Sequence, residues 1–141
     1  MRGDVMNKYK ISLLIFVFLL QLSLCSAEDD CFEHDPDYMR VNVLHGCFTY
    51  LYVPSVNVHE YNPPFYKIAG YFVYYDNRNR RVVDESAKTM IVRYDYKKKE
   101  TYILKNNYWR KLDVSGTSDY HFENKSIANA LFSVAYGMNF Y

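Results

Sequence analysis

Few residues of this chain have the type and spacing to do chemistry. Cys31 and Cys47 enclose a loop of about 15 residues. In an oxidising compartment they pair most simply with each other, and closing such a loop stabilises a fold by roughly 3 kcal/mol. The alternative is a bridge between two chains. Asn124-Lys125-Ser126 is an N-glycosylation sequon, expected to carry a glycan on a secreted chain; the other reading is an unused site. Glu28, Asp29, Asp30, Glu33, Asp35 and Asp37 cluster, and carboxylates suit a hard cation such as calcium. The loop pattern Asp-x-Asp-x-Asp-Gly is absent, so a solvated acidic segment is the simpler reading. His34, His45, His59 and His121 have no ligand spacing, so no metal is expected beyond the calcium left open by the acidic segment. There is no Gly-x-Ser-x-Gly, no His-Glu-x-x-His and no phosphate-binding glycine loop. Asp84 and Glu85 are adjacent and would point apart on a strand. The expectation is a non-enzymatic protein, with a small hydrolase whose residues converge only in space as the third reading.

The N-terminus sets the compartment. Arg2, Lys8 and Lys10 precede an apolar run from Ile11 to Leu24, and Cys25-Ser26-Ala27 follows with small residues at the cleavage positions. Residues 1–27 read as a secretory leader cut before Glu28, leaving one secreted domain over residues 28–141. The run is short for a membrane span, and no later segment supplies an anchor. Cleavage removes Arg2, Lys8, Lys10 and Asp4, taking 17 basic and 16 acidic residues to 14 and 15. That balance argues against nucleic-acid binding.

The elements that must position these residues are mostly strands. Fifteen of the sixteen tyrosines lie after the leader, and aromatic residues at this density favour strands. Strands are expected at 47–53, stopped by Pro54, then at 71–75, 80–84, 88–96, 100–105 and 108–114. Residues 54–64 are expected as loop, and 76–79, 97–99 and 106–107 as turns. Short connections imply antiparallel pairing. Ile127, Ala130, Leu131, Val134 and Ala135 fit helical spacing with Gly137 as a stop, although the same residues could form a buried strand. The expected class is mainly β: antiparallel sheets, as a meander or a two-sheet sandwich curved around an apolar pocket, with a short C-terminal helix.

Both faces of these strands are apolar. Tyr71, Val73 and Tyr75 oppose Phe72 and Tyr74, and Phe48, Tyr50 and Tyr52 oppose Leu51 and Val53. Each face therefore needs a cover. One cover is an apolar ligand such as a fatty acid, with Phe72, Tyr74, Met90, Val92 and Tyr94 as lining candidates. The alternative is an exposed aromatic surface serving adhesion or matrix contact. An up-and-down meander would also gather Arg78, Arg80 and Arg81 with Lys97, Lys98 and Lys99 at one end of the sheet. Such a patch suits anionic glycans or lipid headgroups, although charged hairpin tips usually do no more than solvate.

The stretch Gly70-Tyr-Phe-Val-Tyr-Tyr75-Asp76-Asn-Arg-Asn79-Arg-Arg81-Val82-Val-Asp-Glu85 resembles the centre of ependymin-related proteins. Tyr94-Asp95-Tyr96 followed by Glu100-Thr-Tyr102-Ile103-Leu104 resembles that family's next strand–turn–strand, and Phe122 to Ile127 a later segment. The resemblance implies a secreted glycoprotein with two packed antiparallel sheets and a deep hydrophobic pocket. It also implies calcium binding, homodimerisation and an extracellular-matrix or adhesion role. The family's cysteine after the strand–turn–strand is replaced here by Trp109-Arg110-Lys111.

Overall fold

The computed structural model describes residues 32–83 and 87–141; the expected leader, Cys31 and residues 84–86 lie outside the described residues. Aromatic and β-branched runs separated by Asn, Asp and Gly turns produce seven strands: β1 Tyr38–Leu44, β2 Cys47–Asn62, β3 Phe65–Asp76, β4 Arg81–Val82, β5 Lys88–Asp95, β6 Glu100–Lys105 and β7 Tyr108–Lys111. A helix, α1 Asp119–Tyr136, follows. All pairs are antiparallel, in the order β1-β2-β3-β5-β6-β7, and β4 joins only the end of β3. Asn106 and Asn107 both take positive φ, as a two-residue hairpin turn with the native strand twist requires.

The mainly β, antiparallel expectation is met, and so is the C-terminal helix. The second sheet of a sandwich is not found among the described residues; α1 takes its place as cover. Residues 54–64 are not a loop. β2 runs through Pro54 to Asn62, because Pro54 falls inside a register shift between Tyr52 and Asn57, where the ladder needs no N–H from it. Ser55 repairs the gap: its hydroxyl donates to the Tyr52 carbonyl at 2.5 Å and accepts the Tyr71 N–H at 2.7 Å. β1 was not expected, since Asn42 and the acids before it mask its alternation.

Ser118 begins α1 in an extended conformation and Gly137 ends it at φ 72°, its N–H on the Ser133 carbonyl. Left-handed backbone at that position favours glycine, as the sequence suggests. Ile127, Ala128, Leu131 and Phe132 from α1 pack on Leu51, Ile68, Phe72, Met90, Val92 and Tyr94 from the sheet. Tyr94 is fully buried, and its hydroxyl donates to the Ala128 carbonyl at 2.8 Å. Phe140, beyond the helix, closes the core against Tyr94 with ring centroids 4.9 Å apart. The opposite face buries Tyr50, Val73 and Tyr75, and Phe32 lies on Tyr50 at 5.2 Å.

Candidate functional site

Strand pairing decides which candidates share a face. Gly70 faces Met90, Ile68 faces Val92 and Tyr66 faces Tyr94 across β3 and β5. With period two along each strand, Phe72, Tyr74, Met90, Val92 and Tyr94 all lie on the α1 side. The side chains of three of them, Phe72, Val92 and Tyr94, are completely buried beneath the helix. Here the side chains of α1 fill the space a ligand was expected to fill.

Tyr74 and Met90 do reach open space. α1 covers the β1–β5 part of the sheet and leaves a cleft of about 430 Å³ between its N-terminal half and β5–β7. Met90, Ile103, Leu112 and Ile127 give the cleft apolar walls. Lys88, Lys105, Arg110 and Glu123 bring charge to it. Burial pushes the Glu123 carboxyl above its ordinary value, although Lys88 opposes this. Burial, and then the Glu123 charge, push the Tyr74 phenol up to about 12, so it stays a neutral donor at physiological pH. The Lys88 ammonium sits 5.9 Å from the Tyr74 ring centroid, within cation–π range. Three cations against one carboxylate of raised pKa make an anion-favouring rim on an apolar floor. Lys88, Arg110 and Glu123 were not among the sequence candidates. Once register is known, Lys88 shares Tyr74's face and Arg110 pairs with Ile103; without it, nothing places them together.

The basic turns do not converge. Arg78, Arg80 and Arg81 follow the C-terminal end of β3, where the Asn77 N–H meets the Gly46 carbonyl. Lys97, Lys98 and Lys99 follow β5, where the Tyr96 N–H meets the Pro64 carbonyl at the other end of β3. The expected gathering fails because β4 is only two residues long and β5 pairs directly with β3. One strand, not two, separates the turns, so they lie roughly 35 Å apart along β3 at about 3.3 Å per residue. Two of the lysines are also engaged. The Lys99 ammonium donates to the Phe140 carbonyl at 2.7 Å and sits 3.9 Å from the Tyr96 ring centroid. Lys98 lies 3.7 Å from Asp95.

Asn124 lies on α1, 6% exposed, its amide donating to the Asp113 carbonyl at 3.0 Å. A glycan on that nitrogen would need room at a buried position where the amide already bonds the Asp113 carbonyl, so the packing of α1 sets itself against the expected modification. Cys47 opens β2 half-buried, while its expected partner Cys31 lies outside the described residues.

Ser118, His121 and Asp113 line up: Ser118 Oγ is 2.5 Å from His121 Nδ1, and His121 Nε2 is 3.1 Å from Asp113 Oδ2. Ser118 and Asp113 are exposed; Asp113 borders a surface cleft with Leu112, Ser115 and Tyr141, but neither Ser118 nor His121 lines it. His121 stands three residues after Ser118, the residue that precedes α1, and ties its side chain to the first turn without a side-chain bond to the helix backbone. His45 reaches the same helix end, 3.3 Å from Asp119. Among the described residues no group of three or more His, Cys, Asp or Glu is placed to hold a metal.

Compared with known proteins, the chain matches no family model, no curated protein and no solved structure.

Proposed function

We propose that the chain is a secreted, ependymin-like binding protein that holds a small amphipathic anion of the fatty-acid class between α1 and β5–β7. The observation that carries this reading is the pairing of an apolar floor (Met90, Ile103, Leu112 and Ile127) with the cations Lys88, Lys105 and Arg110 in one cleft of about 430 Å³. That volume falls in the ordinary range for small-molecule sites. The acyl chain buries against the floor, and the carboxylate meets the ammonium and guanidinium groups, where charge-assisted hydrogen bonds are strongest. The leader supports release to the extracellular space.

Purified protein titrated with fluorescent fatty acids at micromolar concentrations tests the reading. Binding should be saturable, and Lys88→Gln/Arg110→Gln should weaken a fatty acid by about tenfold while leaving the matching fatty alcohol nearly unchanged. Failure to bind any member of the panel sinks it.

A further inference from the structure

The sheet face turned away from α1 holds a second cleft, of about 360 Å³, with Arg93 among its lining residues. Lys67 on β3, Arg93 on β5 and Tyr102 on β6 are direct cross-strand neighbours. Trp109 on β7 pairs with Leu104 and stands on the same face. The Arg93 guanidinium lies 5.1 Å from the Tyr102 ring centroid and 4.8 Å from that of Trp109.

The basic residues around Arg93 already have anionic partners. Lys67 pairs with Glu60 at 3.3 Å, Lys98 with Asp95 at 3.7 Å, and Lys111 with Glu100. Among the described residues Arg93 is the one basic residue lining this cleft whose side chain makes neither an ion pair nor a hydrogen bond, yet it is half-buried. A guanidinium carries five N–H donors in a planar fork matched to a carboxylate. Here two aromatic rings restrain it by cation–π attraction without using those donors. The rings restrain the guanidinium, and its donors make no bond within the described residues.

We propose that this cleft binds a sugar carboxylate of the uronic acid class. Arg93 would take the carboxylate through two parallel N–H···O bonds. The indole of Trp109 offers an apolar ring face to the C–H face of a pyranose. Glu60 and Asp95, both lining the cleft, supply oxygens that accept from sugar hydroxyls. The same carboxylates disfavour a polysulfated chain or a phosphate dianion, which would bring excess negative charge beside them. The site lies across the sheet from the fatty-acid cleft and stands or falls independently of it.

Trp109 is the only tryptophan of the chain, so intrinsic fluorescence reports on this cleft directly. The probe is a disaccharide ending in glucuronic acid, titrated into the full mature protein. A saturable change in Trp109 emission is expected. The methyl ester of the same disaccharide, which removes the ligand's charge without touching the protein, should bind at least about tenfold more weakly. Arg93→Lys, which keeps the charge but loses the fork, should weaken the acid form by a similar factor and leave fatty-acid binding intact. The methyl-ester comparison decides the case if that variant fails to fold. Equal responses to acid and ester, or no saturable response, would overturn the proposal. An acidic peptide that competes as well as the uronide would overturn the sugar assignment.

Discussion

Gly70 and Leu131 meet with no room for a methyl group between them. A β-carbon built on Gly70 would lie 2.5 Å from Leu131 Cδ2 and 2.9 Å from Leu51 Cδ1. The centre of β3 and the centre of α1 approach this closely because position 70 has no side chain. Gly70→Ala should therefore destabilise the fold by about 1–3 kcal/mol through overpacking. Leu131→Ala alone should cost about 2–5 kcal/mol through its cavity. The double variant should be more stable than the sum of the two losses, because each change relieves the other. Urea denaturation of the four proteins measures the coupling; strict additivity would show that helix and sheet do not press together here.

Two buried tyrosines should respond oppositely to loss of their hydroxyls. Tyr94 donates to the Ala128 carbonyl, so Tyr94→Phe should cost about 0.5–1.5 kcal/mol. The Tyr50 hydroxyl is buried with no hydrogen-bond partner. Tyr50→Phe removes an unsatisfied polar group and should be neutral or stabilising. Thermal midpoints of the two variants against wild type provide the comparison, and a clear loss for Tyr50→Phe would mean its hydroxyl is in fact satisfied.

The tyrosines also fix the response to alkali. Burial raises Tyr94 well above its ordinary value and raises Tyr136 and Tyr141 as well, while Tyr74 is pushed up to about 12 by burial and then by Glu123. A phenol raised in the fold keeps its proton after the unfolded chain has lost its own, near pH 10. The unfolded state then binds fewer protons, so stability falls as pH rises. This contribution is intact below about pH 10 and is lost as pH climbs through the folded values. Urea midpoints should drop between about pH 9.5 and pH 11.5, and Tyr74→Phe should make the drop shallower. A midpoint that does not move over that window would contradict the assignment.

Asn124 should remain unmodified in folded protein even when a eukaryotic secretory host makes it. Peptide mass mapping of the folded fraction gives the answer. Asn124→Ala should cost about 1–2 kcal/mol by leaving the Asp113 carbonyl without its donor. Ser126→Ala, which destroys the sequon and keeps the hydrogen bond, should change stability by less than about 0.5 kcal/mol. A glycan on the folded chain would show that α1 opens around Asn124.

Element type was legible wherever local chemistry was strong. Tyr71–Tyr75, Glu100–Lys105 and the Asn106-Asn107 turn follow from aromatic density and turn residues, and the spacing of Ile127 to Ala135 with the stop at Gly137 favours α1 while leaving a buried strand open. These are properties of neighbouring residues, which the sequence places side by side. What covers each face, and which turns meet, depend on pairings between distant residues. β5 lies directly against β3, which sends the two basic turns to opposite ends. The same register sets Lys88 beside the apolar floor and Arg93 beside Tyr102. Tertiary structure alone decided that α1 fills the space left for a ligand beneath Phe72, Val92 and Tyr94. A row of apolar side chains is equally well buried by a helix, a second sheet or a lipid, and only the packed chain chooses among them.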